Sequence, residues 1–145
     1  MAKFHYRFES IKKIKETLEK KIQKEISIID LEIEKLNDSL KTLSDEKLKA
    51  QNFLSGRSNV KISELQFQSE VENLLEIRAD KILNEIANLE KVKESRMLEL
   101  EQKTKEHKIF ETLEEKHLED FQLIQNQLEQ KEIDEIASKK FAREA

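Results

Sequence analysis

The only glycine of this 145-residue chain lies in the stretch Phe53-Leu54-Ser55-Gly56-Arg57-Ser58-Asn59, and the chain contains no proline. Glycine and proline are the residues that most often interrupt helices, so this stretch is the one clear candidate for a reversal of direction. We predict a single coiled-coil domain spanning 1–145, with a helix over 3–51, a turn over 52–62 and a longer helix over 63–142.

The composition is typical of long helices rather than of a globular domain. Charged residues make up 40% of the chain and aromatic residues 6%, and there is neither tryptophan nor cysteine. Charge-rich chains of this kind form coiled coils when their apolar residues recur at helical spacing, and they stay disordered when those residues do not. A seam between two helices leaves no enclosed pocket, so we expect no cofactor.

Apolar residues in the first part of the chain recur at steps of three and four, which predicts a helix facing a partner helix. A regular heptad pattern starts at Ile22, and two successive steps of four between Leu18 and Ile26 form a stutter. The predicted seam residues are Phe4, Phe8, Ile11, Ile14, Leu18, Ile22, Ile26, Ile29, Ile33, Leu36, Leu40 and Leu43.

The second helix is predicted to begin with a capping box formed by Ser63 and Gln66. Its predicted seam contains Val71, Leu75, Arg78, Ile82, Ile86, Leu89, Lys93, Met97, Leu100, Thr104, His107 and Phe110. Both seams align if the helices are antiparallel and the numbers of facing residues add to about 115. The fold class is therefore predicted to be all-α, a long two-helix antiparallel coiled-coil hairpin with a protruding C-terminal helix.

In this register the first helix ends opposite Phe110, which leaves residues 111–145 as an overhang without a partner. The overhang has an apolar stripe of Leu113, Leu118, Phe121, Leu123, Ile124, Leu128, Ile133, Ile136 and Phe141. A lone helix with such a stripe is marginally stable in water and tends to bind a partner. Self-association of two overhangs, or fraying, is the alternative.

Residues that carry catalytic or metal chemistry are scarce. The three histidines have no metal-binding spacing, the single glycine cannot form a phosphate-binding loop, and the many glutamates are typical of a solvated helix surface. We expect a protein that is not an enzyme. A net charge of −4 gives no general attraction to nucleic acid, although eight Lys and Arg against three Glu in residues 1–24 could face an acidic partner or simply be solvated.

Two terminal stretches resemble the flagellar export protein FliJ family. The opening Phe4-x-x-x-Phe8-Glu9-x-Ile11 looks like the aromatic, acidic and aliphatic start of that family. Its C-terminal signature is matched by Leu128-Glu129-Gln130-Lys131-Glu132-Ile133-Asp134-Glu135-Ile136-Ala137, followed by Phe141-Ala142-Arg143. The family is similar in fold to the γ stalk of the F1 ATPase.

The resemblance implies a non-enzymatic stalk of the flagellar type III protein export apparatus. Such a stalk inserts into the hexameric export ATPase, promotes its assembly and activity, and links it to the cytosolic domain of the membrane export gate and to export chaperones. It implies a cytoplasmic protein that reaches the inner membrane at the flagellar base only through these partners. The implied ATPase contacts are Leu128, Ile133, Asp134, Glu135 and Ile136. Candidates near the turn for the export gate are Phe67, Val71 and Leu75.

Three alternatives stay open at this point. The chain could be the equivalent stalk of a virulence injectisome, or a structural coiled-coil rod that dimerises through its C-terminal helix. A nucleic-acid-binding arm rests on the basic N-terminal residues alone. For the stalk we expect a monomer when the protein is free, and no nucleic-acid partner.

Overall fold

The computed structural model describes residues 2–144 and contains, over that range, two α-helices and no strand. Helix α1 is Glu9–Ser55 and helix α2 is Ile62–Glu144. The two helices pack against each other in antiparallel directions, which confirms the predicted all-α hairpin. Met1 and Ala145, which the predicted domain included, lie outside the described residues.

The chain divides into two compact units. The turn unit is Lys21–Leu100, and the terminal unit combines the described residues up to Lys20 with those from Glu101 onward. The prediction of a single domain is not tested by this division, since both units are built from the same two helices.

An apolar seam holds the turn unit together. Its buried side chains are Ile22 and Ile29 from α1, with Leu75 and Ile86 from α2. Half-buried residues continue the seam on α1 at Ile26, Ile33, Leu36, Leu40 and Leu43, which are the positions that the heptad pattern predicted. Burial of this strip of aliphatic side chains is the main source of stability in the turn unit.

The register of the two helices differs from the predicted one. Asp30 Oδ1 lies 2.6 Å from Lys93 Nζ, and Lys47 Nζ lies 3.3 Å from Glu76 Oε1. Facing residues therefore have numbers that add to about 123 rather than about 115, a displacement of about one heptad. A shift of one heptad places the apolar pattern back on itself, so the spacing of apolar residues could not distinguish the two registers.

Met97 was predicted to lie in the seam, and this prediction was wrong. The side chain of Met97 is exposed, whereas Arg96 is half-buried with its Nε 3.4 Å from Glu25 Oε2. The step of three from Lys93 to Arg96 keeps the heptad spacing of α2, and a step of four to Met97 would leave the seam.

The seam of the terminal unit is polar on its α1 side. Ile11, Ile14 and Leu18 are exposed, contrary to the prediction, and Lys12, Lys15 and Glu19 face α2 instead. The regular spacing of three and four, continued backwards from Ile22, passes through these three charged residues. Within the terminal unit the interface therefore follows these charged residues, and the apolar stripe of Ile11, Ile14 and Leu18 turns away from it.

The first helix begins later than predicted, at Glu9 rather than Lys3. Residues 2–8 are not helical, and the alternating side chains of Phe4, Tyr6 and Phe8 all reach α2. A helix would separate successive positions by about 100° and turn Tyr6 to a different face from Phe4 and Phe8. Contact by all three aromatic rings therefore favours the non-helical path.

The turn is shorter than predicted, because α1 continues to Ser55 and α2 begins at Ile62. The amides of Glu64 and Leu65 donate hydrogen bonds to the Lys61 carbonyl at 3.1 and 3.2 Å, so Lys61 occupies the N-cap position. The predicted capping box was wrong, since Ser63 lies inside the first turn of α2. Gly56 does not adopt a positive φ angle.

Candidate partner-binding surfaces

Aromatic side chains tie the N-terminal segment to α2 in the terminal unit. This aromatic cluster contains Phe4, Tyr6, Phe8, Phe110, His117 and Phe121. The ring centroids of Phe4 and Phe121 are 5.5 Å apart, and those of Phe8 and Phe110 are 6.3 Å apart. In the predicted register, where the numbers of facing residues add to about 115, Phe4 would lie opposite Phe110 instead.

Tyr6 lies at the centre of the aromatic cluster and was missed by the sequence analysis. It is the one buried side chain among the described residues of the terminal unit. Its hydroxyl donates a 2.8 Å hydrogen bond to the Phe110 carbonyl, and burial raises the pKa of the phenol, with the Glu114 carboxylate adding to the shift. The alternation of aromatic residues at 4, 6 and 8 was the signal that could have identified it.

Ion pairs replace apolar contacts along the rest of the terminal seam. The Lys12 ammonium donates to the Glu114 carboxylate, and this hydrogen bond raises the pKa of Lys12. Lys15 Nζ donates to Glu106 Oε2 at 2.9 Å, and this contact lowers the pKa of Glu106. These contacts pair two of the basic N-terminal residues within the chain.

His107 lies in the terminal seam between two carboxylates. Its Nδ1 is 3.0 Å from Glu19 Oε2 and its Nε2 is 3.5 Å from Glu111 Oε1, with the side chain 14% exposed. The hydroxyl of Thr104 also donates to Glu19 at 3.2 Å. Across residues 2–144, no group of three His, Cys, Asp or Glu side chains is arranged to hold a metal ion.

The C-terminal extension, defined as residues 126–144, is exposed along its whole described length. The predicted overhang began earlier, at residue 111, and this boundary was wrong. Phe121 contacts Phe4, and both His117 and Gln125 are half-buried, so α2 is covered well past Phe110. The displaced register is the reason, because it moves the end of the first arm towards the C-terminus of α2.

All five residues implied for ATPase contact are exposed on the C-terminal extension: Leu128, Ile133, Asp134, Glu135 and Ile136. Their aliphatic side chains form a broad arc rather than a narrow stripe. The step of five from Leu128 to Ile133 rotates the second position by about 140° on an ideal helix, and Ile136 lies between them, about 80° from Leu128 and about 60° from Ile133. A partner that contacts all three side chains must therefore cover a wide face of the helix.

The residues implied for the export gate are unequally accessible. Phe67 is 68% exposed and Val71 is half-buried, whereas Leu75 is 7% exposed and packs in the seam of the turn unit. Burial removes Leu75 from the surface that a partner could touch.

Two further residues near the turn form a surface that the sequence analysis did not single out. The Arg57 guanidinium lies 5.4 Å from the centre of the Phe53 ring, and Arg57 Nη1 lies 3.3 Å from Glu64 Oε2. With Phe67 these residues line a shallow groove where the two helices meet the turn. Stacking holds the arginine over an exposed aromatic ring, an arrangement common at protein interfaces.

Within residues 2–144, neither helix has a stretch that is both long and apolar enough to cross a membrane.

Comparison with models of known protein families gives a match. A family model described as the flagellar FliJ protein matches residues 4–145, which is nearly the whole chain. No curated protein and no solved structure matches. The matched range contains the aromatic cluster, both helices and the C-terminal extension.

Proposed function

This chain belongs to the family of flagellar FliJ proteins, and from that premise we propose that it is the non-enzymatic stalk of the flagellar type III protein export apparatus. In this role the C-terminal extension enters the hexameric export ATPase, promotes its assembly and raises its activity. The same protein connects the ATPase to the cytosolic domain of the membrane export gate and meets export chaperones. It reaches the inner membrane at the flagellar base through these partners.

The observation that carries the proposal is the exposure of the C-terminal extension. Leu128, Ile133 and Ile136 are all exposed, on a stretch of helix whose described residues are exposed throughout. Most helical stability in proteins comes from packing of an apolar face rather than from the helix itself. A partner that covers these side chains would therefore stabilise the extension.

A stalk of this kind needs no catalytic residue of its own. A single copy of the chain has no sixfold symmetry, so inside a hexameric ring it contacts different subunits in different ways. Unequal contacts stabilise some subunit conformations over others, and a ligand shifts a conformational equilibrium by its difference in affinity for the states. The stalk thereby biases which ATPase sites are assembled and active.

We propose that the export gate contacts the groove near the turn, rather than the set Phe67, Val71 and Leu75 that was predicted from the sequence. Phe67 stays in the proposal because it is exposed, and Phe53 with Arg57 joins it. Val71 lies at the edge of the groove, and Leu75 acts as a seam residue that supports it.

The test of the ATPase contact is stimulation of ATP hydrolysis by purified export ATPase. We expect Ile133→Asp with Ile136→Asp to abolish stimulation, because carboxylates at these positions cannot enter an apolar site. The matched control is Ile77→Asp with Ile109→Asp, since these isoleucines of α2 are 65% and 59% exposed against 67% for Ile136 and 59% for Ile133. Equal stimulation by the two double variants, at matched helical content, would show that the extension is not the ATPase contact.

Sedimentation distinguishes the proposed stalk from the remaining alternative, a structural rod. A stalk is expected to be monomeric when free, whereas a dimer that persists on dilution and is lost on removal of residues 126–144 would favour a rod. The match to the flagellar family favours the flagellar apparatus over an injectisome.

A further inference from the structure

The seam of the turn unit is a regular heptad pattern on both helices. Its buried and half-buried residues recur at steps of three and four, and a pattern that repeats every seven residues coincides with itself after a displacement of seven. The seam therefore interlocks in more than one register. Its members are Ile22, Ile26, Ile29, Ile33, Leu36, Leu40, Leu43, Lys47, Ala50 and Leu54 on α1, and Leu75, Ala79, Ile82, Ile86, Leu89, Lys93, Arg96 and Leu100 on α2.

The turn unit accommodates a displacement of α1 by one heptad towards the N-terminal end of α2, which we call the slipped register. In this register two layers gain an aliphatic residue in place of a cation: Ile86 for Lys93 opposite Ile29, and Leu89 for Arg96 opposite Ile26. One layer loses an aliphatic contact, because Ile22 exchanges Leu100 for Lys93. Burial of aliphatic side chains therefore does not hold the turn unit in the observed register.

The connection between the helices permits this slip and resists the opposite one. In the observed register Ser55 is level with about Gln68, so α2 begins about six residues, or about 9 Å, beyond the end of α1. The slip brings Ser55 level with about Lys61, and residues 56–61 then cross only the distance of about 8–10 Å between the helix axes. The opposite displacement would place the two ends about 22 Å apart, close to the full reach of the connection of about 23–25 Å.

Polar contacts in the terminal unit depend on the observed register. The Lys12 ammonium donates to the Glu114 carboxylate, and Glu19 Oε2 lies 3.0 Å from His107 Nδ1. The slip would bring Lys12 level with His107 and Glu19 level with Leu100, and it would separate the rings of the aromatic cluster. Half-buried charges that lose their partners are costly, so the terminal unit stabilises the observed register.

We propose that the hairpin is a two-state element whose helices exchange between the observed register and the slipped register, and that the contacts of the terminal unit set the balance between them. Displacement of one packed element past another by a whole turn or more is an established form of conformational switching. A minor state of this kind is populated at about 0.1–10% without any ligand. Because α1 and α2 each run through both units, a slip in one unit requires the same slip in the other.

The slip changes both proposed partner surfaces. It lengthens the C-terminal extension by one heptad, about 10.5 Å, so that the exposed stretch begins near residue 119 and includes Phe121. It also moves Phe53 past Phe67 by the same distance and rearranges the groove near the turn. This consequence rests on the proposed function: a partner that binds the longer extension favours the slipped register and thereby alters the groove. The slip itself is a property of the free chain.

Cysteine pairs detect the register, since the chain has no cysteine of its own. Ala79→Cys is combined with Leu43→Cys, Leu36→Cys or Ala50→Cys, three α1 positions that are equivalent in the heptad pattern. In the observed register Leu43 is level with Ala79, in agreement with the groove that Leu43 lines with Arg78. Leu36 is level with Ala79 only in the slipped register, and Ala50 only after the opposite displacement. An offset of one heptad, about 10 Å, is too long for a disulfide to bridge.

The full chain is equilibrated in a glutathione buffer, and the intramolecular disulfide is quantified by mass spectrometry. We expect the pair at 43 and 79 to form almost completely. The pair at 36 and 79 is expected to form at least about tenfold more than the control pair at 50 and 79. Unfolding cannot produce this order, because the control pair closes the shorter loop and is favoured in an unfolded chain. Equal yields from the pairs at 36 and at 50 would overturn the proposal.

Glu114→Lys tests whether the terminal unit sets the balance. It places a like charge beside Lys12, in a unit that contains none of the introduced cysteines. We expect the yield of the pair at 36 and 79, relative to the control pair at 50 and 79, to rise by about threefold. Glu115→Lys makes the same change of charge at the next residue, which is exposed and forms no ion pair in residues 2–144, and is expected to leave this ratio unchanged.

The two lysine variants separate the slip from a general loss of stability. Instability raises the yields of both non-native pairs, whereas the slip raises only the pair at 36 and 79. The same ratio in Glu114→Lys and Glu115→Lys would overturn the role of the terminal unit. These outcomes do not depend on the export ATPase or the export gate, so failure of the proposed function would leave them unchanged.

Discussion

Gly56 has a backbone conformation that other residues can adopt. Its φ angle is not positive, and a Cβ atom built on it would meet nothing within 4 Å. Gly56→Ala is therefore expected to raise the free energy of unfolding by about 0.4–1 kcal/mol, because alanine reduces the conformational entropy of the unfolded chain. Urea denaturation followed by circular dichroism measures the change. A loss of stability would indicate that the turn requires a conformation specific to glycine.

Tyr6 provides an internal probe of the terminal unit, because the chain contains one tyrosine and no tryptophan. Burial raises the pKa of Tyr6 above the ordinary value of about 10. In a titration followed by absorbance near 295 nm, we expect the folded protein to ionise at higher pH than the same chain in urea. Ionisation at the ordinary pH in both states would show that the N-terminal segment does not cover the ring.

The sign of the effect on stability follows from the same shift. A raised pKa means that the folded state keeps the phenolic proton that the unfolded state loses first. The contribution of Tyr6 to folding is therefore complete below pH 10 and decreases as the pH rises through the pKa of the folded state. Tyr6→Phe removes this dependence on pH, so a fall in Tm between pH 9 and pH 11 that persists unchanged in the variant would have another cause.

At the scale of the helices, two isoleucines of α1 have similar places in the apolar pattern of the sequence but lie in different surroundings. We expect their substitution by alanine to change the free energy of unfolding by very different amounts. Ile22 is 5% exposed and Ile14 is 59% exposed. We expect Ile22→Ala to lower the free energy of unfolding by about 2–4 kcal/mol, because it leaves a cavity in the seam. Ile14→Ala is expected to cost less than about 0.5 kcal/mol, as is usual for an exposed position.

These two variants, compared by urea denaturation, test whether the seam follows the heptad spacing or the apolar stripe. A cost for Ile14→Ala similar to that of Ile22→Ala would place Ile14 in the interface. It would also mean that α1 is rotated at its N-terminal end, so that Lys15 no longer meets Glu106.

The helices themselves could be predicted from the sequence, because the spacing of apolar residues at three and four positions is a local property of the chain. The composition agreed with this spacing, and the lone glycine indicated where the helices are interrupted. The register could not, since a displacement of one heptad leaves the same apolar residues in the seam. The polar part of the seam was missed for a related reason. Lys12 and Lys15 look like surface residues until a carboxylate from α2 lies opposite each of them, and that depends on the register.

The candidate surfaces were predictable to different degrees. The exposure of Ile133 and Ile136 follows from a helix that continues past its partner, so the pattern of two unequal arms was sufficient. The burial of Leu75 and the stacking of Arg57 on Phe53 depend on how the helices approach the turn, for which the sequence has no periodic signal.

At the scale of the whole molecule, the two ends of the chain contribute unequally to stability. Residues 126–144 are exposed throughout. Residues 2–8 supply Tyr6 and two phenylalanines to the aromatic cluster. Deleting residues 126–144 is therefore expected to change the free energy of unfolding by less than about 0.5 kcal/mol, in line with changes at exposed positions. Deleting residues 2–8 is expected to lower the Tm by several degrees, because it uncovers Phe110 and Phe121.

The two deletions are best compared in the same scanning calorimetry and ATPase experiments. If the extension binds a partner rather than the rest of its own chain, its removal abolishes ATPase stimulation while the Tm of the free protein stays unchanged. A marked fall in Tm on removing residues 126–144 would contradict this, since it would show that the extension packs on its own chain in solution. The deletion of residues 2–8 controls for instability. If this variant loses ATPase stimulation only at temperatures near its lowered Tm, the loss reflects unfolding of the terminal unit rather than removal of a direct contact with the ATPase.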